Sequence, residues 1–186
     1  IGGTGHVGTY LVPRLVEIGH EVTCVTRGGR APYLEHAAWS SVRKVSLDRE
    51  ALEAKGRFAA EIAALDPDAV IDMICFTPES AAQRAEGLHG RVQHFLSCGT
   101  IWVHGPSVEV PTTEEAPRAP FGEYGVRKAA MEAYLLDRAR RHGFPATVLH
   151  PGHIVGRGWA PLNPAGNFNP EVFAAMARGQ TLCLPN

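Results

Sequence analysis

Apolar positions along this chain switch between two rhythms. Val7, Leu11, Leu15 and Ile18 recur at the spacing of one helix face, and Gly19 follows as a stop. The next residues, Glu21-Val22-Thr23-Cys24-Val25-Thr26, read as a buried strand. The alternation then continues. Strands are predicted over 42–47, 69–76, 92–97 and 146–149, and helices over 49–65, 78–88, 121–142 and 171–178. Asp66-Pro67 ends the first of these helices, because a residue before proline avoids the helical region. Pro78 stands near the start of the next, where its missing N–H does no harm. Residues 27–41, 104–120 and 151–170 are rich in glycine and proline and read as loops. Strands alternating with helices imply an α/β fold: a doubly wound, Rossmann-like parallel sheet with helices on both faces.

Length and composition narrow this picture. A chain of 186 residues is long enough for one well-buried domain. The expected division is a dinucleotide-binding domain over 1–150 and the start of a substrate-binding region over 151–186. Only Ile1 precedes the first glycines, where a strand should stand, and Leu184-Pro185-Asn186 brings no closing element. The expectation is therefore a fold truncated at both ends. Without its central first strand, residues 1–186 alone are expected not to form a stable, cofactor-binding domain. The net charge of −1 offers no basic excess for nucleic acid or anionic lipid. No apolar run approaches the ~20 residues that span a bilayer. The four cysteines form no C-x-x-C pair. Buried, reduced thiols are expected, and with them a cytoplasmic protein.

The candidate chemistry begins at the first residues. Ile1-Gly2-Gly3-Thr4-Gly5-His6-Val7-Gly8 places glycines at 2, 5 and 8 before a helix. Such a turn lets backbone N–H groups approach a pyrophosphate at a helix N-terminus. Taken alone it is equally a plain strand-to-helix turn. Further along, Tyr124-Gly125-Val126-Arg127-Lys128 puts a phenol and an ammonium four residues apart, on one helix face. A tyrosine acting as a base near neutral pH needs its pKa lowered from about 10 to about 7, roughly 4 kcal/mol. One cation at ~4 Å and an effective dielectric near 20 supplies about that much. Ser97 and Thr100 lie at the end of a predicted strand, where doubly wound sheets bind ligands. Either hydroxyl could hold a substrate oxygen or merely cap a turn. His150-Pro151-Gly152-His153 carries two histidines three apart, but Pro and Gly between them prevent a helical metal pair and no third ligand is evident. We expect a turn near the cofactor there, and no metal.

Together the segments G-G-T-G-H-V-G, the Asp after the strand at 42–47, S-C-G-T-I-W-V-H-G, T-E-E-A-P, Y-G-V-R-K and H-P-G-H-I-V-G resemble the extended short-chain dehydrogenase/reductases, the NAD-dependent epimerase/dehydratase family. The resemblance implies Tyr124 as general acid/base and Lys128 as the residue that holds the nicotinamide ribose and lowers the tyrosine pKa. It implies Thr100 as the supporting hydroxyl, with Ser97 as the fallback. Gly2, Gly5 and Gly8, with Thr4, His6 and Val7 between and beside them, map to the pyrophosphate turn. Asp48 maps to the adenine-contacting acid, and Pro151 to a turn beside the cofactor. It further implies a small-molecule substrate, commonly a sugar nucleotide, and a homodimer.

Departures from the family pattern stand out. His104 replaces the usual Tyr and His150 the usual Arg. After the second strand the chain has Thr26-Arg27-Gly28 in place of the ribose-binding acid of NAD-preferring members. Arg27 can pair with a 2′-phosphate, which moves the expectation from NAD toward NADP; stacked on adenine, it would suit either. The expected function is a nicotinamide-dependent oxidoreductase, epimerase or dehydratase. The alternative is a non-catalytic, dinucleotide-sensing regulator or RNA-associated scaffold on the same fold. The stretch 159–169 is the expected first substrate-facing loop, in which Asn163, Asn167 and Asn169 either bind sugar hydroxyls or cap turns.

Overall fold

Five short parallel strands carry the chain in a computed structural model that describes residues 1–107 and 109–183. The terminal Leu184-Pro185-Asn186 noted above lies outside the described residues. Strand β1 (Thr23–Thr26) pairs with β2 (Arg43–Ser46). A second sheet takes β3 (Ala69–Asp72), β4 (His94–Cys98) and β5 (Ala146–Leu149) in that order. Between the two sheets stands the backbone of Ile1 and Gly2. Gly2 N–H donates to Val25 O at 2.9 Å, Ile1 N to Ile71 O at 2.7 Å, and Met73 N–H to Ile1 O at 3.2 Å. That is the place which a doubly wound order gives to its first strand.

Burial alternates along β1. Cys24 joins Val12 of helix α1 (His6–Glu17) with Trp39 and Val42. Its neighbour Val25 points the other way, into a larger cluster with Phe58, Val70, Leu88, Phe95, Met131, Leu135 and Phe144. β1 is thus covered on both faces, as parallel sheets require. The larger cluster is closed by α3 (Phe58–Ala63), α4 (Pro78–Leu88) and α5 (Gly122–His142). Each of its large side chains contributes about 1.5–3 kcal/mol by leaving water. Helix α5 ends on Gly143 in the left-handed region (φ 69°), with Arg140, Arg141 and His142 in its last turn facing the negative end of the dipole.

Four elements differ from the sequence pattern, the first being a 3-10 helix, Ala37–Ser41, inside the stretch 27–41 read as a loop. The helix expected over 49–65 is broken into α2 (Arg49–Glu53) and α3, because Gly56 takes a positive φ of 64°. The strand expected over 69–76 stops at Asp72, where the chain turns away around a buried carboxylate. The loop over 104–120 is preceded by a short 3-10 turn, Ile101–His104. Residues 1–151 form one compact unit and 152–186 a second. In the second unit α6 (Glu171–Ala177) follows a web of asparagines. Asn163 donates to Asn167 Oδ1 (2.7 Å) and Asn169 O (2.8 Å), and Asn169 Oδ1 accepts from Glu171 N–H (3.0 Å). These asparagines cap turns.

Candidate active site

The glycine turn is built by close approaches. A Cβ on Gly8 would overlap the Gly3 carbonyl, and one on Gly3 would meet Cys24 Sγ at 2.7 Å. Gly2 takes φ 79°, and a Cβ there would meet Ile74 at 2.9 Å. Gly3, absent from the G-x-x-G-x-x-G reading, is therefore constrained as well, by the Cys24 side chain where Gly8 meets backbone. Gly5 is the N-cap of α1 and has open space on its Cβ side apart from Gly2 O at 3.4 Å. Among the described residues no side chain caps α1, and its first turn holds no acid. The positive end of the helix, with the N–H groups of His6, Val7 and Gly8 outside the helical ladder, is left for an anion. Thr4 lies half-buried in the turn. Val7 is exposed, and His6 is buried edge-on to Tyr10 and Tyr33. These residues fit a dinucleotide pyrophosphate.

The second part of the site joins the carboxyl ends of β3 and β4 to helix α5. Lys128 is 1% exposed. Its Nζ donates to Cys98 O at 2.6 Å and Cys75 O at 2.7 Å, so one ammonium ties two strand ends together. Burial pushes this ammonium below its usual pKa. Tyr124, one turn earlier, is 46% exposed, and the nearby Thr100 hydroxyl acts to draw its phenol pKa down. Thr100 is buried and heads the 3-10 turn, accepting from Trp102 N–H at 3.3 Å. Aromatic rings surround the phenol: Phe76 at 6.5 Å and Trp102 at 6.2 Å, with Trp102 stacked on Phe121 at 5.0 Å.

The lowered tyrosine pKa drawn from the Tyr124–Lys128 spacing is not what this geometry shows. Burial raises the phenol above its ordinary value, and the neighbouring Thr100 hydroxyl draws it only part of the way back. Lys128 turns its charge to the two carbonyls and meets the tyrosine through the ring, 5.9 Å from the centroid. Ser97, the fallback hydroxyl, is fully buried in β4 in register with Asp72, and its Oγ has no hydrogen-bond partner among the described residues. Asp48 is exposed and caps α2, accepting from Ala51 N–H at 3.0 Å, so any adenine contact shares that carboxylate with the helix. Arg27 is exposed at the end of β1, where Thr26 Oγ1 holds Gly28 N–H at 3.1 Å. Pro151 O accepts from Ile101 N–H at 3.2 Å and so braces the 3-10 turn. The described residues contain no cluster of metal ligands.

A buried charge network that the sequence reading missed lies under this site. Asp72, wholly buried, accepts from Arg49 at 3.0 and 3.3 Å and from Ile74 N–H at 3.1 Å. Arg84 Nε lies 2.7 Å from its other oxygen, as an ion pair off the line of a hydrogen bond. Glu53 completes the network, bonding Arg49 at 2.8 Å, Arg84 at 2.5 Å and Ser80 at 2.6 Å. Burial alone would raise the Asp72 pKa, but Arg84 and Arg49 together hold it below the usual carboxylate value. The network fixes the 73–76 segment, which supplies Ile74 against Gly2, Cys75 O to Lys128, and Phe76. The signal available in sequence was an Asp inside an otherwise apolar strand, since a buried charge requires partners.

Comparisons with known proteins bear on the family and the fold. A 2′-dehydrokanamycin reductase from Streptomyces kanamyceticus is 34% identical over 131 residues, 70% of this chain and 35% of the relative. A UDP-glucose 4-epimerase from Azospirillum brasilense is 25% identical over 181 residues, 89% of this chain and 49% of the relative. The chain thus spans about a third to a half of the length of these relatives. Among solved structures, a dTDP-glucose 4,6-dehydratase from Bacillus anthracis in complex with NAD superposes with a TM-score of 0.70 at 15% identity, covering 97% of this chain and 61% of that one. The Bordetella bronchiseptica enzyme WbmG in complex with NAD gives 0.69 at 20% identity, over 97% and 59%. These two share the fold. The profile of the NAD dependent epimerase/dehydratase family matches residues 1–185, from the glycine turn through the tyrosine helix and beyond, and the chain belongs to that family.

Proposed function

We propose that this protein is a nicotinamide-dependent oxidoreductase, epimerase or dehydratase acting at a hydroxyl-bearing carbon of a sugar nucleotide or related small molecule. The observation that carries the reading is the half-exposed Tyr124 phenol near the buried Thr100 hydroxyl, one helical turn before the buried Lys128. In this reading Tyr124 removes or returns the hydroxyl proton, and Thr100 holds the same substrate oxygen. Lys128 keeps the ends of β3 and β4 in place and meets the tyrosine through its ring, 5.9 Å from the centroid. The glycine turn from Gly2 to Gly8 would hold the pyrophosphate of NAD or NADP, and Arg27 favours the latter. That cofactor supplies the hydride acceptor or donor.

The names of the relatives, a reductase and an epimerase of a nucleotide sugar, support this substrate class. A homodimer in the cytoplasm belongs to the same proposal; Cys24 and Cys75 are buried free thiols, which suits a reducing compartment. No helix among the described residues is long and apolar enough to cross a membrane.

The test uses full-length protein. NADH or NADPH should bind in a fluorescence titration, and Tyr124→Phe should keep that binding while losing about 10²–10⁴-fold in cofactor-linked turnover, with UDP-glucose and UDP-galactose as first probes. Binding of neither cofactor, or full turnover by the phenylalanine variant, would refute the assignment.

A further inference from the structure

The two histidines that depart from the family pattern, 46 residues apart in the chain, touch each other. His104 Nε2 lies 3.3 Å from His150 Nδ1, with the rings edge to face at 5.2 Å. His150 Nε2 reaches Glu132 Oε2 at 2.6 Å. The other oxygen of Glu132 accepts from Arg118 Nη2 at 2.7 Å and Nε at 3.1 Å. Arg118 Nη1 returns to His104 Nδ1 at 3.2 Å, which closes a ring of four side chains. Ala116 O stands beside that nitrogen at 3.2 Å and also accepts from Arg118. His104 and Glu132 are both buried.

Each member belongs to a segment that carries a site residue. His104 ends the 3-10 turn headed by Thr100. Glu132 follows Lys128 on α5 by one more step of four, as Lys128 follows Tyr124. His150 precedes Pro151, whose carbonyl braces Ile101. We propose that Arg118, His104, His150 and Glu132 form a proton-counting clamp that positions Thr100 against Tyr124, and that opens when both imidazoles are protonated.

The proton count follows from the donors and acceptors. With both rings neutral the links to and between the imidazoles can each be given a donor and an acceptor, with Arg118 Nη1 sharing its two N–H groups among His104 Nδ1, Ala116 O and Glu114 O. Arg118 donates to His104 Nδ1, His104 Nε2–H donates to His150 Nδ1, and His150 Nε2–H donates to Glu132. One added proton is accommodated by a change of tautomer. His150 then donates through both nitrogens, His104 Nε2 accepts, and His104 Nδ1–H turns to Ala116 O, while Arg118 Nη1 leaves that nitrogen and keeps its bonds to Glu114 O and Ala116 O. A second proton has no place: two N–H groups of two cations would face each other across 3.3 Å. Glu132 and Arg118 already neutralise one another, and the groups bordering the ring add Glu114 and Glu115 from the loop, with Asp137 and Arg140 from α5. The clamp itself stands independently of the proposed reaction; only its bearing on turnover rests on the assignment of Thr100 and Tyr124.

Trp102, inside the 3-10 turn and stacked on Phe121, reports the position of that turn. Tryptophan fluorescence of full-length protein is followed from pH 8 to pH 5, the range in which imidazoles titrate. The wild type should show a transition that Trp102→Phe removes. His104→Gln keeps a donor and an acceptor in the ring but leaves only one imidazole, so its trace should be flat. The pair H104Y/H150R, the residues usual in the family, should be flat as well. A wild-type trace with no transition, a transition that survives Trp102→Phe, or one that persists in His104→Gln overturns the proposal. Should the double variant fail to fold, His104→Gln decides alone.

Discussion

Removing the Asp72 carboxylate should be among the most costly single changes in this molecule. The network beneath the site balances two guanidiniums, Arg49 and Arg84, against two carboxylates, Asp72 and Glu53. In Asp72→Ala both cations must share Glu53, and one buried positive charge is left over, with Arg84 wholly buried. Breaking a buried pair in this way costs about 3–5 kcal/mol. A second route gives a similar figure: Arg49 makes two hydrogen bonds to the carboxylate, and each hydrogen bond to a charged group is worth about 1.5–3 kcal/mol. Urea denaturation of the full-length protein should therefore show a loss of about 3–5 kcal/mol, a large part of the ~5–15 kcal/mol by which domains are stable. In D72A/R84M one charge of each sign is gone, leaving Arg49 paired with Glu53. The double variant should be less destabilised than the sum of the single variants by about 1–3 kcal/mol.

The pH dependence has a definite sign. The folded pKa of Asp72 is depressed, so its stabilisation is complete above the ordinary aspartate value of about 3.9 and is lost as the pH falls through the lower folded value. The gap between wild type and Asp72→Ala should stay constant from pH 8 to about pH 5 and close only in more acid solution. A loss below 1 kcal/mol, strict additivity in the double variant, or a gap that closes near neutrality would refute the reasoning.

Three further outcomes are expected. Thr100→Val removes the hydroxyl that draws the Tyr124 phenol down, so the limb of the kcat/KM profile set by Tyr124 should move to higher pH, and Thr100→Ser should restore it. Gly8→Ala drives a methyl into the Gly3 carbonyl; it should destabilise by about 1–3 kcal/mol in a melt and weaken NADH binding in a fluorescence titration. Arg27→Ala should weaken NADPH binding about five- to tenfold, near 1 kcal/mol, and leave NADH binding unchanged.

What could be read from the chain in advance was what depends on periodicity. Tyr124 and Lys128 share a face because a helix repeats every 3.6 residues, and Glu132 follows Lys128 at the same spacing. The alternation of strands with helices likewise shows without coordinates. The partners of these side chains do not. Lys128 is held by the carbonyls of Cys75 and Cys98, and a backbone acceptor leaves no trace in residue type. For the same reason the tyrosine pKa argument, sound for an ammonium aimed at the phenol, had the wrong geometry: burial and two carbonyls decide where that charge points. His104 and His150 were each visible as departures, but only the return of β5 beside β4 makes them neighbours. A residue unusual by itself invites a separate explanation; two unusual residues in contact call for one. A Glu132–His150 link with tyrosine in place of His104 would have no second imidazole to protonate. The two departures acquire a shared chemistry only together, which is why the double variant tests the pair as a unit.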